Sequence, residues 1–247
     1  GGTHVSFERP FAKGFLVKPE PMERMMQSEP DREAMGFRSW ARPHGLSDWC
    51  GGAGWFTYER TFTRWAEANG YRIDVAVSQD LERYPEILEG PRLFLSVGHD
   101  EYWSWGMRDA LDGFVERGGN AAILSGNTCF WQIRFDHDHA GMTGYKYRAD
   151  EDPVLGTREE HLLAGCWSDR RIGRPETSTI GLTFTRGGYS RYGLGAAESS
   201  GAYTVHRPDH WAFDGTGLEV GRGFGGGDAI VAYECDGCAL EIGPDGT

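Results

Sequence analysis

Apolar positions along this chain follow two periods, one suited to helices and one to buried strands. Across residues 58–69, Phe62, Trp65 and Ala66 recur at helical spacing, and Gly70 offers a stop. Residues 72–77 then read as a strand, so the first unit is helix followed by strand. After Pro85 to Gly90, residues 92–97 form a short apolar run of the kind buried on both faces of a parallel sheet. Ser104 is an N-cap candidate for a helix to about Arg117, with Met107, Leu111, Phe114 and Val115 as its apolar stripe and Gly118-Gly119 as its end. Residues 121–124 are a further buried strand. Strand, helix and strand in that order predict a right-handed crossover, which sets residues 99–102 beside residues 125–128, just past two strand carboxyl ends. Ligands bind at such ends in open parallel sheets, because loops and helix N-termini converge there.

The flanks have a different texture. Up to Gly54 the periodicity is weak and Pro and Gly are frequent, which predicts loops and short helices wrapping the sheet. Beyond Asp150, short apolar runs at 179–184, 203–206, 229–234 and 239–242 alternate with Gly, Pro and Ser and predict a β-rich region. The expectation is one α/β domain over residues 1–247, with a mostly parallel sheet flanked by helices in residues 1–150 and a β-rich extension in residues 151–247.

Composition narrows the partners. A formal charge of −12 repels a phosphate backbone and excludes nucleic acid as an expected partner. No run approaches the roughly 18 apolar residues of a membrane span, and no signal pattern opens the chain, so a soluble, cytoplasmic protein is expected. The chain starts at Gly1-Gly2 without an initiator Met and stops at Asp245-Gly246-Thr247 without a terminal element, which suits a piece of a longer protein. Five Cys is an odd number for a disulfide framework, and Cys235-x-x-Cys238 stands alone after a β-like run, so a structural reading is preferred there over redox or zinc roles.

Four segments carry chemistry-bearing residues. Gly98-His99-Asp100-Glu101-Tyr102-Trp103 puts three ionisable groups directly after a buried strand. An imidazole beside a carboxylate offers either a nitrogen-plus-oxygen metal site or a base with its orienting partner; helix capping by Asp100 or Glu101 is the structural alternative. Strand alternation turns His99 and Glu101 to one side and Asp100 away. In Ser125-Gly126-Asn127-Thr128-Cys129, Asn127 can donate to a developing oxyanion, whereas Cys129 lacks a tight glycine elbow and reads as a packed thiol rather than a nucleophile. Asp136-His137-Asp138-His139 has metal-compatible spacing without further ligands, and a solvated loop is preferred. Gly221-Arg222-Gly223-Phe224-Gly225-Gly226 matches a dinucleotide pattern, but a strand-like run follows it instead of a helix, so it reads as a β-turn.

Taken together, Ser96-Val-Gly-His99-Asp-Glu101-Tyr-Trp-Ser104 and Leu124-Ser-Gly-Asn127-Thr, with Phe130-Trp-Gln132, resemble the catalytic domain of the N,N-dimethylformamidase large-subunit family. Tyr145-Lys146, His210-Trp-Ala-Phe213 and Tyr233-Glu234-Cys-Asp236-Gly237 agree in order, so the resemblance covers nearly the whole chain. It implies a sheet like that of class I glutamine amidotransferases, a flavodoxin-like arrangement, and hydrolysis of a small amide substrate by an iron(III) site built from two Tyr phenolates and one Glu. Carried over by motif, Glu101 is the metal carboxylate and Tyr58 one phenolate. His99 and Asn127 stand around the metal, with Lys146 and Glu234 as companions and Glu234 the candidate general base. A small partner subunit or a homo-oligomer is the implied assembly. Where the family offers its other phenolate, this sequence has Arg9-Pro10-Phe11, and Phe11 has no oxygen to give.

Overall fold

The computed structural model describes residues 3–7, 55, 59–189, 202–226 and 234–238. Strand β1 is His4–Ser6 and helix α1 is Arg60–Ala68. The run at 72–77 does not join a ladder: Val75 and Val77 stay exposed, and the segment ends where the Asp80 carboxylate accepts the Val77 N–H at 3.0 Å, opening the short helix α2, Asp80–Arg83. Alternation alone does not make a strand; a partner edge must also be within reach.

The central elements follow the expected order. Strand β2 is Leu93–His99, β3 is Tyr102–Ser104, α3 is Trp105–Glu116 and β4 is Asn120–Gly126. Ser104 caps α3, its hydroxyl accepting the Met107 N–H at 3.2 Å. The face of α3 bearing Met107, Leu111 and Phe114 is buried against Trp103, Leu81, Leu88, Leu163 and Trp167, and each such side chain contributes about 1.5–3 kcal/mol. Arg108 also faces inward, its guanidinium 4.2 Å above the Trp167 ring and donating to the carbonyls of Arg174 and Pro175, so a buried charge straps the later chain onto α3.

Strands β2 and β4 pair in parallel across α3, in register from Leu93 opposite Asn120 to His99 opposite Gly126. Burial on both faces is not what the structure shows, for Leu93 is 48% and Leu124 54% exposed. A second sheet runs in the order β1-β6-β5-β3, where β5 is Trp131–Phe135 and β6 is Gly141–Thr143. Its β3–β5 pair is parallel; the other two pairs are antiparallel.

Among the described residues of the later chain, the ladder strands begin at Thr183. Among the described residues, 151–176 contain turns and a 3-10 helix at Glu160–Leu162, held by polar straps such as the Arg134–Asp152 pair at 2.8 Å. The run at 179–184 divides between helix α4, Thr177–Ile180, and the start of β7, Thr183–Tyr189. Strands β8, Tyr203–Thr204, and β9, Gly223–Phe224, form a small antiparallel pair, and β10, Glu234–Gly237, pairs antiparallel with β7. The glycine run at 221–226, expected as a β-turn, supplies the short strand β9. Residues 239–242 and most of the run at 229–234 lie outside the described residues.

Candidate active site

The site sits where one long parallel pairing comes apart. The β2–β4 register ends at His99 opposite Gly126, and the β3–β5 register begins at Tyr102 opposite Trp131. Between them, Asp100 and Glu101 face a longer excursion, Asn127 to Phe130, so surplus backbone must leave the plane. It does so through two left-handed residues, Asn127 and Cys129, each at φ 53°. Three backbone bonds rejoin the halves: Cys129 N–H to Asp100 O at 2.8 Å, and the N–H groups of Phe130 and Trp131 to Glu101 O at 3.0 and 2.9 Å.

Alternation orients the ionisable run as expected. Asp100 turns inward, its Oδ2 accepting the Ser96 hydroxyl at 2.7 Å, and Ser96, Ser125 and Thr128 continue the chain of hydroxyls at 3.0 and 2.8 Å. Burial raises the Asp100 pKa, and the Ser96 hydrogen bond offsets this only in part. His99 and Glu101 turn to the other side, with His99 Nε2 3.3 Å from Glu101 Oε2.

Glu234 completes the group from the far end of the sequence. Its Oε2 lies 2.9 Å from His99 Nδ1, so the imidazole stands between two carboxylates. Hydrogen bonds from the imidazole to Glu101 and then Glu234 outweigh desolvation and hold His99 protonated up to about 10. Burial pushes Glu101 up, but the His99 hydrogen bond, the Lys146 charge and the Trp131 indole together leave it below its ordinary value. The Trp131 Nε1–H donates to Glu101 Oε1 at 2.7 Å. Lys146, itself left-handed at φ 53°, donates from Nζ to the Tyr102 hydroxyl and stands 4.6 Å from the Tyr102 ring centroid and 5.5 Å from that of Trp131. Burial and the Glu101 charge raise Tyr102 above its ordinary pKa.

Asn127 closes the group on the β4 side. It is 4% exposed, and its Oδ1 is buried without a hydrogen-bond partner among the described residues. The next strand over is very close: a Cβ on Gly126 would stand 2.2 Å from the backbone oxygen of Glu234, so only glycine permits β10 to lie there. The structure therefore brings His99, Glu101 and Glu234 into direct contact, adds Lys146 through Tyr102, and seats Asn127 at the adjoining turn. Tyr58 and Phe11 lie outside the described residues. Tyr102 and Trp131 join the site through Glu101, and their places inside the two signature segments are the sequence signal for them. Asp236, which accepts the Thr128 N–H at 3.2 Å, is signalled only by its place in the segment 233–237.

The other chemistry-bearing segments settle as structural. Cys129 is fully buried and burial drives its thiol pKa well up, the opposite of what a nucleophile needs. Asp136 and Asp138 accept the N–H groups of Gly141 and Ala140 at 2.9 and 3.0 Å and shape the turn between β5 and β6. Among the described residues, no group of three or more His, Cys, Asp and Glu is disposed to hold a metal ion. No described helix is long and apolar enough to cross a membrane.

The sequence has relatives. The chain is 26% identical over 200 residues to the N,N-dimethylformamidase beta subunit of Alcaligenes sp, an alignment covering 72% of this chain and 24% of that protein. The beta subunit of the same name from Paracoccus aminophilus matches with the same identity and coverage. The chain thus spans about a quarter of the length of these curated relatives. The family model described as N,N-dimethylformamidase beta subunit-like, C-terminal, matches residues 2–247, and the chain belongs to that family.

Proposed function

We propose that this chain carries the hydrolytic centre for a small amide C–N bond, and that the bracketing of His99 by Glu101 and Glu234 at the opened parallel pairing is the observation that carries this reading. The relatives are named as dimethylformamidase beta subunits, which supports an amide substrate and assembly with a further subunit. The fold class proposed for the whole domain remains the glutamine amidotransferase-like one, supported by the parallel β2–β4 crossover around α3.

The oxygen chemistry at Glu101 suits a hard ion such as iron(III). Trp131 pins Oε1 at 2.7 Å, while among the described residues Oε2 has a long 3.3 Å contact from His99, and the Tyr102 phenol lies alongside. Glu101 would hold the ion, with Tyr58 the proposed phenolate. A bound ion supplies Lewis acidity to the amide carbonyl or to water. The side chains do the rest: Glu234 accepts a proton from the attacking water, and His99, fixed at both nitrogens, keeps Glu234 and Glu101 in place. Asn127 and Lys146 orient the carbonyl. Water oxygen bonds to the carbonyl carbon, the C–N bond breaks, and the amine leaves with the proton that Glu234 took.

Glu101→Ala is expected to abolish hydrolysis of N,N-dimethylformamide and to strip iron from the purified protein, measured by elemental analysis. A metal-free native protein whose hydrolysis survives that substitution would end the proposal. Phe11 favours a second reading, a non-catalytic α/β domain that binds a small ligand or carbohydrate and has lost the metal site. That reading predicts no iron in the native protein and no turnover.

A further inference from the structure

Asp236 is an acidic group that the hydrolytic reading leaves without a task. It follows Glu234 by two positions in β10, a strand whose register against β7 shifts between Cys235 and Gly237, so the contacts of the two carboxylates rather than alternation place them. The Asp236 carboxylate accepts the N–H of Thr128, in the excursion after β4, at 3.2 Å, and the N–H of Asn127 beside it also favours the charged carboxylate. Successive N–H groups around a left-handed residue form a concavity that favours an anion, and Asn127 has φ 53°. Hydrogen bonds to a carboxylate are roughly twice as strong as neutral ones. On the neighbouring residue, Gly126 lets the Glu234 backbone approach to contact. Two independent features therefore clamp the same strand to the same turn, one by close packing and one by charge.

We infer that Asp236 is a positioning residue: by holding the Thr128 N–H it locks β10 onto the turn after β4, and so sets Glu234 against His99 and Asn127 beside them. The clamp itself stands on geometry alone; its kinetic consequence rests on the hydrolytic reading above.

The test uses the full chain with Asp236→Ala, Asp236→Asn, Glu234→Gln and the Glu234→Gln/Asp236→Ala double variant. Amide hydrogen exchange followed by NMR should show Asn127 and Thr128 exchanging at least about tenfold faster in Asp236→Ala and to an intermediate degree in Asp236→Asn, which keeps one carbonyl acceptor. With N,N-dimethylformamide as probe, kcat should fall about 100-fold in Asp236→Ala with KM within about twofold, and Asp236→Asn should recover most of it. A group acting through Glu234 adds nothing once Glu234 is gone, so the double variant should be no slower than Glu234→Gln within about threefold. Unchanged exchange at both amides, losses that multiply in the double variant, or Asp236→Ala with near-native kcat would each overturn the inference. Should Asp236→Ala not fold, Asp236→Asn is read by exchange at the same two amides, where native rates overturn the inference and faster ones support it. A native chain inert toward the probe removes the hydrolytic reading, while the exchange arm still decides whether the clamp exists.

Discussion

Asn127 and Cys129 share a left-handed backbone for one reason, the surplus length opposite Asp100 and Glu101, but they tolerate it differently. Asparagine enters that region readily, whereas a residue with an ordinary Cβ costs about 1–2 kcal/mol there. Asn127→Gly is therefore expected to leave stability near native and Asn127→Ala to lower it by about 1 kcal/mol in denaturant unfolding. Both remove the carboxamide, so both should reduce kcat, by about 10²–10³ if Asn127 faces the developing oxyanion. Comparing the pair separates the backbone effect from the chemical one. Cys129 offers a sharper contrast with Cys238, which is exposed. Iodoacetamide followed by peptide mass spectrometry should label Cys238 in the native protein and reach Cys129 only on unfolding, because burial keeps that thiol protonated and shielded. Rapid labelling of Cys129 with matching loss of activity would revive a thiol mechanism.

Short elements here are held less by ladders than by ionic straps. Asp152, whose side chain is fully buried, accepts Arg134 through both carboxylate oxygens at 2.8 Å and the Ala164 N–H at 2.8 Å, and so ties the 3-10 region to β5. Burial raises its pKa, but the Arg134 and backbone hydrogen bonds outweigh that and hold it below 3.8. A depressed carboxylate contributes its stability fully above the unfolded value and loses it as pH falls through the folded one. Asp152→Asn should accordingly cost about 3 kcal/mol near neutral pH, since it leaves Arg134 without its counter-charge, and the gap from native should narrow as pH drops below about 4. Chemical denaturation of both proteins across that range checks the slope; a gap independent of pH would mean the strap is not ionic.

For the molecule as a whole, the cohesive centre lies under α3 rather than around the β2–β4 pair. Leu111 is 2% exposed while Leu124 is 54% exposed. Leu111→Ala should cost about 2–5 kcal/mol, whereas Leu124→Gln should stay within about 0.5 kcal/mol of native, both read from unfolding curves. A large penalty at Leu124 would show that the outer face of β4 is covered in the native protein. The helix after Ser104, the strands around residues 93–99 and 120–126, and the two signature segments were legible in sequence, because a cap, a 3.6-residue stripe and short apolar runs act over a few neighbours. So was the adjacency of His99 and Glu101, which strand alternation enforces. The strand expected at 72–77 does not form, since a ladder depends on a partner edge that no local pattern contains, while after Asp150 the described residues hold β7 to β10. Recognition of the family supplied Glu234 and Lys146 as names, but their use as an ion-pair partner of His99 and a donor to Tyr102 came only with the folded chain. What the sequence by itself determined is the local conformation and the chemistry each segment can bring. The tertiary structure alone decided which of these groups meet, because the contacts of Glu234 and Asp236 with residues 99 and 126–128 join segments over a hundred positions apart, and only burial and chain closure select such pairings.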